Sequence, residues 1–264
     1  MLSQSGRGSV TFGGFMNSQA MRGLVTSVTR VSPTVSKIQV RLSFGLKYFP
    51  GQSIWISPLS ERLIGGGLTG FYHLCGCPET ALRTNQYEFL AETNPLLGLI
   101  RGLGIVKVGD FLKVEGPIGA FWPLSARPEQ NLVWVASPAK LGPFLACVQS
   151  QNFQRIRPKN IVLLVEMHSE ETFSFRAIFE SRGVKVVHWG KVSDLLKSDW
   201  VRLDFRNSRF FISTEKPLLR ELWSLLINEK QVSNDQILHE EKVLNHAREN
   251  SNMRIAPAAL TFRD

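Results

Sequence analysis

The chain has 264 residues, 43% of them apolar, with 31 Lys and Arg set against 22 Asp and Glu. That length and apolarity are enough to fold and bury a core, which excludes disordered and fibrous classes, and at about 150 residues per domain they make one large or two modest domains. The formal charge of +9 is lopsided: residues 1–60 carry Arg7, Arg22, Arg30, Lys37, Arg41 and Lys47 and no acid, the first acid being Glu61.

From the amino terminus, residues 1–21 are rich in Ser and Gly and read as a flexible tail. The same acid-free stretch loosely fits an organelle transit peptide, which would place the protein in the mitochondrial matrix or another organelle, but it shows no amphipathic helical stripe. No run reaches the roughly 18 apolar residues that span a bilayer, and the start lacks the apolar core of a secretory signal, so the expectation is a chain without a transmembrane segment. Three cysteines do not make a disulfide framework and suit a reducing compartment, so the cytoplasm is the expected location.

Short extended runs then dominate. Ile38, Val40 and Leu42 alternate with Lys37, Gln39 and Arg41, the period of a half-buried antiparallel strand. Pro50-Gly51-Gln52 supplies a turn before a second alternating run around Ile54 and Ile56, and further strands are expected at Tyr87 to Ala91 and at Asp110 to Glu115. Many short strands with Gly and Pro turns predict an antiparallel β-barrel over residues 22–124.

The polar, proline-bearing stretch 124–130 is the expected linker. Beyond it, the nearly continuous apolar runs of residues 131–137, 160–168, 184–190 and 209–213 suit parallel strands covered on both faces. Segments with helical spacing lie between them, at residues 143–154, 170–181, 191–198 and 216–230, so residues 130–245 read as a doubly wound α/β domain. The segment from residue 235 onward reads as a polar helix, with 246–264 as a carboxyl-terminal extension. A barrel followed by a parallel α/β domain creates a cleft between the two, at the carboxyl ends of the parallel strands, where a ligand can lie.

Several local patterns carry no chemistry. Cys75-Gly76-Cys77 lacks the second ligand pair that a zinc or iron–sulfur site needs, and the five histidines show no metal spacing. No Gly-x-Ser-x-Gly elbow occurs, and Gly65-Gly66-Gly67 reads as a hairpin turn. The basic amino-terminal quarter has neither a Lys/Arg cluster nor interleaved aromatics, which argues against nucleic acid.

The order of elements over about residues 22 to 245 resembles the ferredoxin reductase family, flavoenzymes with an FAD-binding barrel and an NAD(P)-binding domain. Gly116-Pro117-Ile118-Gly119-Ala120-Phe121, preceded by Gly109-Asp110, matches that family's Gly-Asp and Gly-Pro-x-Gly-x-Phe pattern most closely. Phe49-Pro50-Gly51-Gln52 matches its turn before the flavin site, and Gly70-Phe71-Tyr72-His73-Leu74 stands where it has Arg-x-Tyr-Ser. The resemblance implies that Tyr72 lies against the isoalloxazine, with His73 and Leu74 at the flavin edge. The family's diphosphate-binding arginine is replaced by Gly70. Gly98 falls in a diphosphate-holding segment whose hydroxyl is replaced by Arg101, a charge that would make good the loss from the other side.

In the second half, Ala136 to Phe144 aligns with the family's Ala-Gly-Gly-Thr-Gly-Ile-Ala-Pro-Phe loop, but Ser137, Pro138 and Lys140 replace its glycines. Proline removes a donor and side chains fill the space a pyrophosphate needs, leaving Lys140 as a point charge. Ser213-Thr214-Glu215 replaces a strand end in which Cys-Gly-Pro faces the nicotinamide. The resemblance therefore implies FAD and NAD(P)H as cofactors, with Tyr72, His73 and Ser213 as catalytic residues, while the altered loop and strand end argue against the nicotinamide. Two functions remain open: an FAD-dependent oxidoreductase serving a separate acidic electron-transfer protein or larger complex, and a catalytically degenerate accessory or assembly subunit.

Overall fold

A computed structural model describes residues 20–59, 70–93, 106–119, 123–124, 126–127, 129–167, 174–192 and 204–240. Its first sheet contains β1 (Met21–Ser32), β2 (Val35–Leu42), β3 (Ser53–Pro58), β4 (Gly70–His73), β5 (Gln86–Glu92) and β6 (Phe111–Ile118), hydrogen-bonded in the order β4-β3-β6-β1-β2-β5. Every pair is antiparallel. The two outer strands meet just past β4, where Leu74 bridges Phe89 and the Cys75 N–H donates to the Glu88 carbonyl at 2.8 Å. Closure of the sheet into a barrel leaves its interior to the alternating apolar residues, Val25, Ile38, Val40, Ile54, Ile56, Phe89, Leu112 and Val114.

The strand expected to stop at Gly116 runs on to Ile118. Gly116 has φ +143°, and a Cβ there would sit 3.2 Å from the Ser53 carbonyl oxygen, so glycine permits the close approach of β3 and β6 where their register shifts. A short helix, α1 (Pro78–Thr84), joins β4 to β5, started by proline in its first turn and ended by Asn85 in the left-handed region.

The second sheet is wholly parallel, in the order β11-β10-β7-β8-β9, with β7 (Asn131–Ala136), β8 (Asn160–Glu166), β9 (Lys185–Trp189), β10 (Ser208–Ser213) and β11 (Ile237–His239). Every residue of β7 is buried, as the continuous apolar run predicts. Between the strands lie α2 (Gly142–Gln149), α3 (Phe153–Ile156), α4 (Arg176–Ser181) and α5 (Lys216–Ser224), the last continued by a π-helical turn, Leu225–Glu229.

Two expectations are corrected. The single helix anticipated over residues 143–154 is broken at Ser150, which is extended. Its N–H caps the Ala146 and Cys147 carbonyls, and its hydroxyl donates to Glu79 Oε1 of α1 at 3.1 Å, a contact between the two halves of the molecule that local periodicity does not encode. Of the segment from residue 235, expected as a polar helix, the described part begins with a 3₁₀ turn, Asn234–Gln236, and then forms strand β11, Phe210 to Ile212 pairing with Ile237 to His239; residues 241 onward lie outside the described residues. Three residues are too few to display a period, and pairing with β10 decides their conformation.

Helix α2 is the hinge of the packing. Phe144 stacks on Trp134 of β7 with ring centroids 5.1 Å apart, Ala146 belongs to the barrel's apolar cluster, and Gln149 donates to the Cys75 carbonyl at 2.8 Å. A helix apolar on all sides is one buried on all sides, here between sheet and barrel.

Candidate functional site

The carboxyl ends of β7 and β10 face the end of β4 across the first turn of α2. A Cβ on Gly142 would lie 2.9 Å from both Cβ and the carbonyl oxygen of His73, so the two halves touch backbone to backbone at this point. On β3 and β4 the register pairs Ser53 with His73 and Trp55 with Phe71 on one face, Ile54 with Tyr72 on the other. The first face points out of the barrel, and its His73 meets the α/β half at Gly142 and Glu240.

His73 is the centre of this face. Its Nδ1 shares a hydrogen bond with Ser53 Oγ at 2.9 Å, and its Nε2 lies 3.1 Å from Oε1 of Glu240, the residue that follows β11. Ser213 at the end of β10 donates to Glu240 Oε2 at 2.8 Å, and Lys140 Nζ, from the Pro138–Lys140 turn after β7, lies 3.5 Å from Oε1. A second carboxylate, Glu215, stands 3.9 Å from Lys140. Burial pushes the Glu240 carboxyl upward, but the His73 ring, the Lys140 ammonium and the Ser213 hydroxyl more than offset it and hold the group well below the usual carboxylate range. Burial likewise pulls Lys140 down, and Glu240 and Glu215 outweigh that, leaving it above its ordinary value.

The structure thus gathers three of the residues singled out from the sequence, His73, Lys140 and Ser213, around a carboxylate that the sequence did not single out. Tyr72 is not among them. Its ring lies 4.9 Å from that of Phe89 and it is 9% exposed, within the barrel's apolar cluster, and it covers Gly70, where an added Cβ would meet it at 3.0 Å. Leu74 is fully buried in the same cluster. Gly98, Arg101 and the Gly65 to Gly67 turn lie outside the described residues. Glu240 escaped notice because a Glu in a polar run carries no local mark, and Ser53 because its partner is twenty residues away; the alternation of β3, which puts Ser53 on the Trp55 face, was the available signal.

The chain Ser53, His73, Glu240 has the connectivity of acyl-transfer triads, yet Ser53 is 1% exposed and no substrate carbonyl reaches it. Two further hydroxyls, Ser137 Oγ and Thr214 Oγ1, are buried at the ends of β7 and β10 with no hydrogen-bond partner among the described residues. Among those residues no three His, Cys, Asp or Glu side chains gather in a metal-binding group, and no helix is long and apolar enough to cross a membrane.

The fold that places this junction is that of the two-domain ferredoxin reductases. A ferredoxin NADP+ reductase from Neisseria gonorrhoeae with bound FAD and NADP matches with a TM-score of 0.66 at 13% identity, over 83% of this chain and 97% of that one. The flavohem-like FAD/NAD-binding domain of a nitric oxide dioxygenase from Vibrio cholerae O1 biovar El Tor matches with a TM-score of 0.63 at 16% identity, over 83% and 97%. A ferredoxin reductase in carbazole 1,9a-dioxygenase, in an FAD apo form, matches with a TM-score of 0.63 at 18% identity, over 85% and 67%. No protein-family model and no curated protein matches the sequence.

Proposed function

We propose that this chain is a flavin-dependent oxidoreductase that holds FAD against the barrel side of the junction and passes electrons to a separate acidic protein. The observation that carries the reading is the placement of the His73, Ser213, Lys140 and Glu240 cluster where β4 faces the carboxyl ends of β7 and β10, in a fold whose solved examples include chains with bound FAD. The residues on the outward face suit a flat conjugated ring. Trp55 and Phe71, half-buried and edge to face with centroids 4.5 Å apart, continue that face from His73 and Ser53. This reading moves the stacking surface from Tyr72, enclosed in the barrel core, to Phe71 and Trp55.

Bound there, a flavin would supply a centre that accepts a hydride and gives up electrons singly. The chain's own part is to exclude water through α2, to offer the Trp55 and Phe71 rings to the flavin, and to fix the His73 imidazole between Ser53 and Glu240 at the end of that face. The nicotinamide side fits poorly. Pro138 has no N–H to offer a pyrophosphate and Lys140 is engaged by two carboxylates, so no step is assigned to that nucleotide. A specific observation also favours the accessory-subunit reading: with Tyr72 turned inward, the flavin segment has lost its best stacking group.

The absorbance spectrum of the purified full chain, before and after incubation with FAD, separates the two. A flavin band near stoichiometric occupancy, lost or reduced in Phe71→Ala, is the expected result. A colourless protein that FAD cannot reconstitute would sink the oxidoreductase. With FAD bound, anaerobic NADH and NADPH should bleach the band slowly or not at all.

A further inference from the structure

The segment joining β2 to β3, residues 43–52, lies in the acid-free first quarter of the chain, and its backbone is fixed from inside. Leu46, Tyr48 and Pro50 are buried. The Tyr87 hydroxyl accepts from the Leu46 N–H and donates to the Leu46 carbonyl, Tyr48 donates to the Gly76 carbonyl at 2.7 Å, and the Gln52 side chain accepts from the Phe49 N–H and donates to the Gly119 carbonyl. From that frame Phe44 and Phe49 are 47% and 55% exposed, with the Lys47 ammonium 6.0 Å over the Phe49 ring. Leu82 of α1, 42% exposed, backs onto the same segment, since a Cβ on Gly45 would lie 3.1 Å from its Cδ1. Three of the eight exposed large apolar side chains among the described residues thus gather here, unlike the scattered singles of an ordinary surface.

The charges around these side chains have one sign. Arg41 at the end of β2, Lys47 and, on α1, Arg83 are exposed and have no carboxylate partner among the described residues. Residues 35–60 contain no acid. Of the acids that flank them in the fold, Glu79 accepts from Ser150 and from Cys77 Sγ, and Glu88 is paired with Lys37 at 3.3 Å. Helix α2 separates this surface from the junction: it meets His73 through Gly142 at one end and Cys75 and Glu79 through Gln149 and Ser150 at the other, about 12 Å of helix away.

We propose that Phe44, Phe49 and Leu82, together with Arg41, Lys47 and Arg83, dock the protein on a membrane surface of anionic phospholipid. The apolar groups carry no polar tips and the cations stand on long stems, the composition that settles between headgroups and acyl chains. An anionic leaflet complements the cations, and a fluid surface needs no fixed pattern of hydrogen-bonding groups, of which the patch offers few. The inference stands apart from the flavin reading, since it uses no residue of the junction and is tested on protein to which no flavin is added.

The test is co-sedimentation of the full chain with vesicles of phosphatidylcholine, alone or with about 30% phosphatidylserine, at low and at physiological salt. The wild type should bind the anionic vesicles and not the neutral ones, more weakly as salt rises. Phe44→Ser with Leu82→Ser should lower that binding at least about tenfold, and Lys47→Gln or Arg83→Gln about fivefold each. Arg155→Gln with Lys159→Gln, which removes two exposed cations of the α/β half, should bind as the wild type does. An equal loss in that control means that net charge alone drives adsorption and overturns the patch, as does full binding by the Phe44 and Leu82 variant or by both single Gln variants. A wild type that ignores anionic vesicles overturns the proposal, and if it binds poly-L-glutamate instead, the surface belongs to an acidic protein. Far-ultraviolet circular dichroism checks each fold; should the double Ser variant fail to fold, Phe44→Ser and Leu82→Ser singly are judged by the same criteria.

Discussion

A buried glutamate is stable only where its neighbours need its charge, and Glu240 has three such neighbours. Because its folded pKa lies below the unfolded value of about 4.3, its contribution is fully present above that pH and drains away as pH falls below it. Glu240→Gln should therefore be least stable relative to the wild type at neutral pH, with the gap closing under acid. At pH 7 the loss should fall at or below the roughly 3 to 5 kcal/mol typical of a buried pair broken on one side, because Lys140 keeps Glu215 and some solvent. Urea unfolding of both proteins from about pH 3 to 7 measures the gap, and a constant gap would mean that the carboxyl is not ionised in the fold. At this scale the sequence was informative where residue type alone limits chemistry: Lys140 in place of a loop glycine and Ser213 at a strand end were legible as polar groups facing one cleft. Which partner each would find was not, since Glu240 lies 27 residues from Ser213 and 100 from Lys140 along the chain.

Elements differ in how far local pattern determines them. β2 and β7 follow directly from alternation and from continuous apolarity, because each buries one face or both against neighbours that any such pattern would find. β11 follows from neither. Its place depends on Gln236, whose side-chain amide ties the carbonyls of Phe205 and Arg206, in the turn before β10, and of Ser208, the first residue of β10, and whose Oε1 accepts from the Ser233 N–H in a capping box. Gln236→Ala should cost about 1 to 3 kcal/mol by leaving those acceptors unmet. Amide exchange at Ile237 to His239 should accelerate more than exchange in β7 or β8; a uniform change across the sheet would show that β11 does not open on its own. The break in the expected helix at Ser150 has the same origin, a hydrogen bond to Glu79 in the other half of the molecule outweighing local helical spacing.

For the whole molecule the decisive contact is Gly142 against His73, which lets α2 serve as the floor of the barrel and the roof of the parallel sheet at once. Gly142→Ala forces a methyl group into backbone atoms that cannot rotate away, and the cost should be about 1 to 3 kcal/mol. Its effect should reach both halves: tryptophan fluorescence and far-ultraviolet circular dichroism should still report one coincident transition, at lower denaturant. Separate transitions in the variant would show that this contact alone couples the two sheets. The order of a barrel followed by a parallel α/β unit, the basic bias of the first quarter and the loss of loop glycines were determined by the sequence itself, because period, charge and residue size are properties of neighbouring positions along the chain. The inward turn of Tyr72, the pairing of β11 and the capture of Glu240 by His73, Ser213 and Lys140 were decided only by tertiary structure, because each depends on groups brought together from distant parts of the chain and on burial that makes their charges matter.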